Sequence, residues 1–290
     1  MDNGRIADRN LALTATLTGG AWAAALPLAN LKADRRFLSA PARQTTPANL
    51  GASQFEAALS LARSIDLVAL LFHTFSLTAK YRLTIAPPGG SFAAPAYSTG
   101  WRAVYERVFD SLNLDWSDPN WWTGQASDEE DIALYARHLW IALPTPVLAG
   151  AVRVEIDDAQ NPAGFFDVGG LWIALTWAPR INFERGRRPE IQPRDQSEEA
   201  PAGRLFPDER TPRRRHVLTW KRLSDAEAQR LFDAGARART SRTVLVLPDT
   251  SDSGVMIREA FPAVFDPPPT PTYRVSGLNE VEAGFKEIIA

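Results

Sequence analysis

The chain has 290 residues, of which 45% are hydrophobic and 23% charged, ordinary globular usage with enough length for a full core. Its 32 basic and 34 acidic side chains leave a net charge of -2, which gives no basic excess for a nucleic-acid partner. The absence of cysteine excludes disulfides, thiolate metal sites and cysteine nucleophiles, and His73, His138 and His216 lie too far apart for metal-ligand spacing.

Met1 to Asn10 is polar and lacks the basic start and apolar run of a signal peptide, and no stretch reaches ~18 consecutive apolar residues. The expectation is a soluble protein made in a cytoplasm, with no membrane insertion. Leu11 to Leu17 alternates apolar and polar with period two, which predicts a strand ending at Gly19-Gly20. Leu26-Pro27-Leu28 is too proline-broken for a helix, and Arg35 to Arg43 reads as a short strand or extended loop. Phe55 to Leu61 alternates again. Ile65 to Phe72 is nearly continuous in apolar residues, as in a strand buried on both faces. Ser76 to Ile85 alternates once more, and Pro87-Pro88-Gly89-Gly90 ends it.

The pattern then weakens as far as Pro144. Trp101 to Leu112 reads as a strand and a loop, and Leu114 to Gly124 is turn chemistry carrying Trp116, Trp121 and Trp122. Asp128 to Ala136 begins with acids, which predicts a short helix. Val147 to Ile156 is a strand closed by the turn Asp157 to Pro162. Phe165 to Trp177 is another, with Gly169-Gly170 marking a bulge or a close backbone approach.

Beyond Pro179 the composition changes. Glu184 to His216 is rich in Arg, Glu, Asp and Pro, which predicts a solvated loop or an arm that orders on assembly. Val217 to Trp220 reads as a strand. Ser224 with Glu227 forms a capping box for a helix over Asp225 to Ala234, stopped by Gly235. Thr243 to Pro248 is a strand, Pro267-Pro268-Pro269 a stiff spacer, and Tyr273 to Val275 and Val281 to Ile289 are two closing strands. About eight strands by Trp177, punctuated by turns, predict a sandwich or jelly roll.

Three stretches carry a resemblance. Leu26 to Leu31 with Arg35 to Arg43, the run Ile65 to Arg82, and Val152 to Gly169 resemble the tail proteins of long, non-contractile phages that infect high-GC bacteria. In those proteins such strands belong to a discoidin-like (galactose-binding-like) sandwich, often with an Asn-His-Asn-Leu-Ser-like turn, from which Phe72, Thr74 and Phe75 depart. Trp220 to Leu223, the capped helix and Leu245 to Asp249 resemble the C-terminal part of such tail-tip proteins. The resemblance implies a mainly β chain. It would comprise a discoidin-like jelly-roll sandwich over 1–182 with an irregular insertion around 86–145, a charged connector or arm over 183–216, and a small α+β tail-assembly domain over 217–290. It implies a distal-tail or baseplate protein of the virion, forming a sixfold ring (a hexamer of this chain) between the tail tube and the hub and fibre proteins.

Little points to catalysis or to a cofactor. The acids Asp128 to Asp131 fit a helix start, and Glu155 with Asp157 and Asp158 fits a turn better than a glycosidase pair. Asp157 and Asp158 are weak candidates for calcium, against backbone bonding in the turn. No Gly-x-Ser-x-Gly elbow and no phosphate loop is present. The chain is therefore expected not to be an enzyme. Binding has two candidates. Trp116, Trp121 and Trp122 fit a sugar-stacking platform, an anchor in a neighbouring subunit, or a plug in the bottom of the sandwich. Arg213, Arg214 and Arg215, with Arg185, Arg187 and Arg188, fit either bidentate pairing with a ring neighbour or a solvated loop balanced by Glu190, Asp195, Glu198, Glu199, Asp208 and Glu209. The readings are a tail-tip structural protein and, as the alternative, a carbohydrate-binding tail module that recognises the host cell surface.

Overall fold

The computed structural model describes residues 4–32, 37, 39–110, 114–126, 137–183, 187–199, 205–273 and 278–289. Strand β1 (Arg5–Ala7) pairs with a strand near the C-terminus, so the chain's two units are not continuous stretches. The sandwich unit comprises Arg9–Thr176 and Thr250–Arg258, and the α+β unit comprises Met1–Asp8, Trp177–Asp249 and Glu259–Ile289. Division at 182 and 217 therefore differs from the grouping by contacts. The fold class is the one predicted, a mainly β chain with a β-sandwich and a smaller α+β unit.

The sandwich is built around two long strands. Its strands are β2 (Thr16–Thr18), β3 (Ala42–Gln44), β4 (Gln54–His73), β5 (Lys80–Ala86), β6 (Tyr97–Ser98), β7 (Arg102–Ala103), β8 (His138–Asp157) and β9 (Phe166–Ala174). β4 runs antiparallel to β8, but the register breaks twice: Ala58↔Ala151 is followed by Arg63↔Ala149, and Ile65↔Val147 by Leu67↔Ala142. Pro144 and Pro146, neither of which has an N–H to donate to a ladder, lie in the second break. The first half of β4 pairs with β2, and the matching half of β8 with β5; the second half of β4 pairs with β9. Strands that change layer through bulges are how a single sheet curls into a sandwich. The core accordingly draws Phe55, Leu83 and Val154 from one side and Val68, Ile141 and Ile173 from the other. Each fully buried aliphatic or aromatic side chain contributes about 1.5–3 kcal/mol.

The run expected to be buried on both faces is so: Ile65 to Leu71 is buried throughout, including Asp66. Asp66 accepts from the backbone N and the hydroxyl of Thr176, both at 2.6 Å, which meets the need of a buried carboxylate. Close backbone approach is also the role of Gly169, where a Cβ would lie 2.5 Å from the Phe37 carbonyl.

Leu11 to Leu17 differs from expectation. It opens as a 3-10 turn, Leu11–Thr14, and only Thr16–Thr18 is strand. Asn10 is the reason: its side-chain oxygen accepts from the N–H of Ala12 and of Ile173, and its amide donates to Leu171 O. A local cap thus outcompetes the period-two pattern. The predicted helix over Asp128 to Ala136 lies outside the described residues.

In the α+β unit the strands are β10 (Arg188–Gln192), β11 (Gln196–Glu199), β12 (Leu205–Asp208), β13 (Arg213–Leu223), β14 (Val244–Leu247), β15 (Phe261–Phe265), β16 (Thr270–Thr272) and β17 (Asn279–Glu287). One antiparallel sheet runs β1-β14-β15-β17-β13-β10, with β16 also on β17. The stretch expected as a connector or arm thus supplies edge strand β10 and the hairpin β11–β12. Helix α1 (Asp225–Ala238) has the predicted capping box at Ser224 and Glu227. It does not stop at Gly235, which lies inside it with room for a Cβ closed by Pro269 at 2.8 Å. Glycine here serves close packing, and Arg239, at φ 52°, follows the helix. The short helix α2 (Ser253–Glu259), β15 and β1 carried no pattern long enough to predict.

Candidate functional site

Residues 105–110 and 114–126 form an excursion from the sandwich after β7. Its neck is closed where the N–H groups of Val108 and Phe109 both donate to Gly124 O, at 2.8 and 2.9 Å. Gly124 has φ +64°, and a Cβ there would lie 2.4 Å from Phe109 O, so glycine alone fits. Asn120, nearly buried, donates through its side-chain amide to Gln125 O at 2.7 Å. At the tip Asp115 accepts from the backbone and hydroxyl of Ser117, and these bonds hold its carboxyl below the usual carboxylate range. Asp118 accepts from Asp115 N and closes the turn.

This bonded tip places two indoles in solvent. Trp116 is 80% exposed and Trp122 84%. Trp121 is half-buried and meets Trp122 edge-on, with ring centroids 4.5 Å apart. An indole carries a large apolar area, and two of them on one braced loop make an unsatisfied apolar surface with fixed geometry. Trp116 and Trp122 are therefore not plugs of the sandwich interior. The structure does bring the three predicted tryptophans into one loop.

The arginine cluster is divided by strand alternation on β13. Arg214 points inward, is buried, and pairs with Glu287. Its guanidinium also lies 5.0 Å from the centre of the Phe261 ring. Arg214, one of the candidates for an interface or glycan contact, is thereby paired inside its own unit. Arg215 pairs with Glu190 at 3.2 Å, as the local charge-balance reading expects, and Arg213 is half-buried on the same face. Arg187 pairs with Glu259 at 2.8 Å. Arg185 lies outside the described residues.

Asp157 and Asp158 are not alike. Asp158 is 1% exposed and accepts from Ser76 N at 3.2 Å, from the Ser76 hydroxyl, and from Asn161 Nδ2 at 2.7 Å. Asn161 Nδ2 also donates to Thr74 O. The carboxylate thus bridges the turn before β5 to the turn after β8, which is the backbone-bracing role weighed against calcium. Asp157 closes β8 half-buried, opposite Lys80. Neighbouring Glu155 is held by Arg82. Among the described residues no group of three or more acidic or histidine side chains is placed to hold a metal ion.

A second feature was not singled out from the sequence. A cavity of about 210 Å³ in the sandwich unit is lined by Tyr81 of β5, Tyr97 of β6, Arg102 of β7, Glu106, Trp140 of β8 and Met256 of α2. The 250–257 segment that forms one wall is remote in sequence from Tyr97 to Glu106, so no local spacing could have announced it. It is fixed there by Arg258, whose guanidinium donates to Val108 O at 2.8 Å, and by the Ser253 hydroxyl, which donates to Arg107 O.

No protein-family model matches the chain, and no curated protein matches it. Among solved structures it is similar to CBM32-1 from a family 31 glycoside hydrolase of Clostridium perfringens, at 14% identity and a TM-score of 0.35, covering 57% of this chain and 97% of that one. It is also similar to CpGH89CBM32-4 of the same organism, in complex with GlcNAc-α-1,4-galactose, at 14% identity and a TM-score of 0.33, covering 58% and 94%. A third similarity, to SpGH29, has 16% identity and a TM-score of 0.35; it covers 58% of this chain and only 28% of that one.

Proposed function

We propose that this chain is a non-catalytic carbohydrate-binding tail module, which contacts a host cell-surface glycan through the loop bearing Trp116, Trp121 and Trp122. The observation that carries the reading is the pair of indoles at 80% and 84% exposure on a loop braced by its own hydrogen bonds. Indole rings left largely in solvent suit the apolar faces of pyranose rings, and bracing lowers the ordering cost of binding. The non-catalytic part draws support from the acids of the 155–158 turn, where Glu155 and Asp158 are already bonded to Arg82, Ser76 and Asn161. The tail setting rests on the resemblance of Leu26 to Leu31, Ile65 to Arg82 and Val152 to Gly169.

The test is binding of the purified chain to immobilised host-envelope polysaccharide and to a glycan array, with Trp116→Ala/Trp122→Ala beside it. Each lost stacking contact is worth about 0.5–1.5 kcal/mol, so the double variant loses about 1–3 kcal/mol and binds about 5- to 150-fold more weakly. Its stability stays within about 0.5 kcal/mol, because both rings are exposed. Undiminished glycan binding by the double variant would refute the reading.

A second reading is the tail-tip ring protein between tail tube, hub and fibres, self-associating in a closed ring. Edge strand β10 favours it, because among the described residues one side of that strand is unpaired in the sheet order and Ile191 on it is 70% exposed. Light scattering over a concentration range tests it: approach to a hexamer supports the ring, and Ile191→Lys should suppress that approach.

A further inference from the structure

The cavity beside β5, β7 and β8 has the chemistry of a small binding site. Its volume of about 210 Å³ is below the ~300 Å³ at which sites for drug-sized ligands begin, so its occupant is a single small ring rather than an extended chain. Arg102 and Glu106 both line it and are both exposed to solvent, and among the described residues neither side chain makes a hydrogen bond or an ion pair. Tyr97 and Trp140 are half-buried in its wall and supply aromatic surface. Tyr81 is buried beneath, and burial first, then the nearby Glu106 charge, pushes its phenol up to about 12. At neutral pH that hydroxyl therefore keeps its proton.

We propose that this cavity binds one neutral pyranose, a free monosaccharide or the terminal sugar of a glycan, with Arg102 donating to and Glu106 accepting from its hydroxyls. Each sugar hydroxyl is both donor and acceptor, so a guanidinium and a carboxylate can share one ring without either charge being neutralised. An anionic ligand would gain from Arg102 and lose to Glu106. Tyr97 and Trp140 then cover the apolar face of the ring, the usual division between a few polar groups and an aromatic lining. The inference rests on the carbohydrate reading, but it assigns the end sugar to a site other than the tryptophan loop.

The experiment is an NMR titration of the full chain, carrying ¹⁵N-labelled tryptophan, with galactose, glucose, mannose, rhamnose and N-acetylglucosamine at millimolar concentration. The chain has nine tryptophans, so the indole signals are few and can be assigned by single Trp→Phe variants. The expected result is a saturable shift of the Trp140 signal by at least one sugar. Arg102→Ala and Glu106→Gln should each weaken it at least tenfold, with the remaining indole signals in place to show an intact fold. If sugars move only the Trp116 and Trp122 signals, or if both variants bind normally, the cavity assignment is overturned while the carbohydrate reading stands. If the chain binds polysaccharide but no pyranose moves Trp140, the cavity assignment falls in the same way. A preference for free glycine or leucine over every pyranose also overturns it, since it makes the site one for zwitterions. Failure of all saccharides, extended and simple, removes both proposals.

Discussion

Replacing Asp158 by alanine separates a bracing carboxylate from a metal ligand. Asp158 is 1% exposed, and three donors converge on it: Ser76 N, the Ser76 hydroxyl and Asn161 Nδ2. Hydrogen bonds to a charged group are worth about 1.5–3 kcal/mol each, so a simple sum reaches roughly 5–9 kcal/mol. The bonds are not independent, since Asn161 Nδ2 retains Thr74 O at 3.1 Å and water can enter the space left. We expect a net loss of about 3–5 kcal/mol, the range seen when a buried charge network is broken. For a unit of this size that lowers the melting midpoint by about 6–20 °C. The assay is urea unfolding followed by near-ultraviolet circular dichroism, repeated with added calcium and with a chelator. Asp158→Asn keeps the shape and an acceptor oxygen, so its loss should be smaller. A loss under about 1 kcal/mol, or a wild-type stability that follows calcium, would refute the bracing argument.

Two other perturbations follow from buried groups. His73 lies stacked on Phe75, with ring centroids 4.3 Å apart, and burial, then the Arg137 charge, push it down to about 3. Its unfolded value is near ~6.5, so below that pH the unfolded chain binds the extra proton, and stability falls by about 1.4 kcal/mol per pH unit toward pH 3. Going from pH 7 to pH 5 should remove about 2 kcal/mol, and His73→Gln should flatten that slope in denaturant midpoints; an unchanged slope counts against it. In the α+β unit, Arg214→Ala strands the nearly buried Glu287 and should cost about 3–5 kcal/mol, whereas Arg215→Ala, losing a partly exposed pair with Glu190, should cost under about 1 kcal/mol. Equal losses, measured by thermal unfolding, would contradict the division made by strand alternation.

Where the sequence carried enough local signal, the reading was direct. Ile65 to Leu71 is apolar but for Asp66 and does not alternate, because both faces of that part of β4 are buried, and such a run has few other uses. Ser224 and Glu227 announce α1 because a capping box satisfies backbone donors within four residues of chain. Trp116, Trp121 and Trp122 could be singled out as a group because turn residues surround them, although whether they faced inward was open. Signals of this kind are local in sequence, and so is the chemistry that reads them.

The rest needed tertiary structure, because the deciding contacts join residues far apart in the chain. Asn10 caps the 3-10 turn locally through Ala12, but its bonds to Leu171 and Ile173, which tie that turn to β9, join residues far apart in the chain. Arg213, Arg214 and Arg215 are equivalent in sequence, and the pleat of β13 alone sends Arg214 inward to Glu287. Asp158 looks like any turn acid until Ser76 and Asn161 are placed around it. The cavity of Tyr97, Arg102, Glu106 and Trp140 exists only once the 250–257 segment returns to the sandwich. Sequence determined the long buried strand of β4, the capping box of α1 and the main turns, through periodicity and local hydrogen bonding. Tertiary structure decided which side chains are exposed and which polar groups meet, since both depend on neighbours that sequence spacing does not encode.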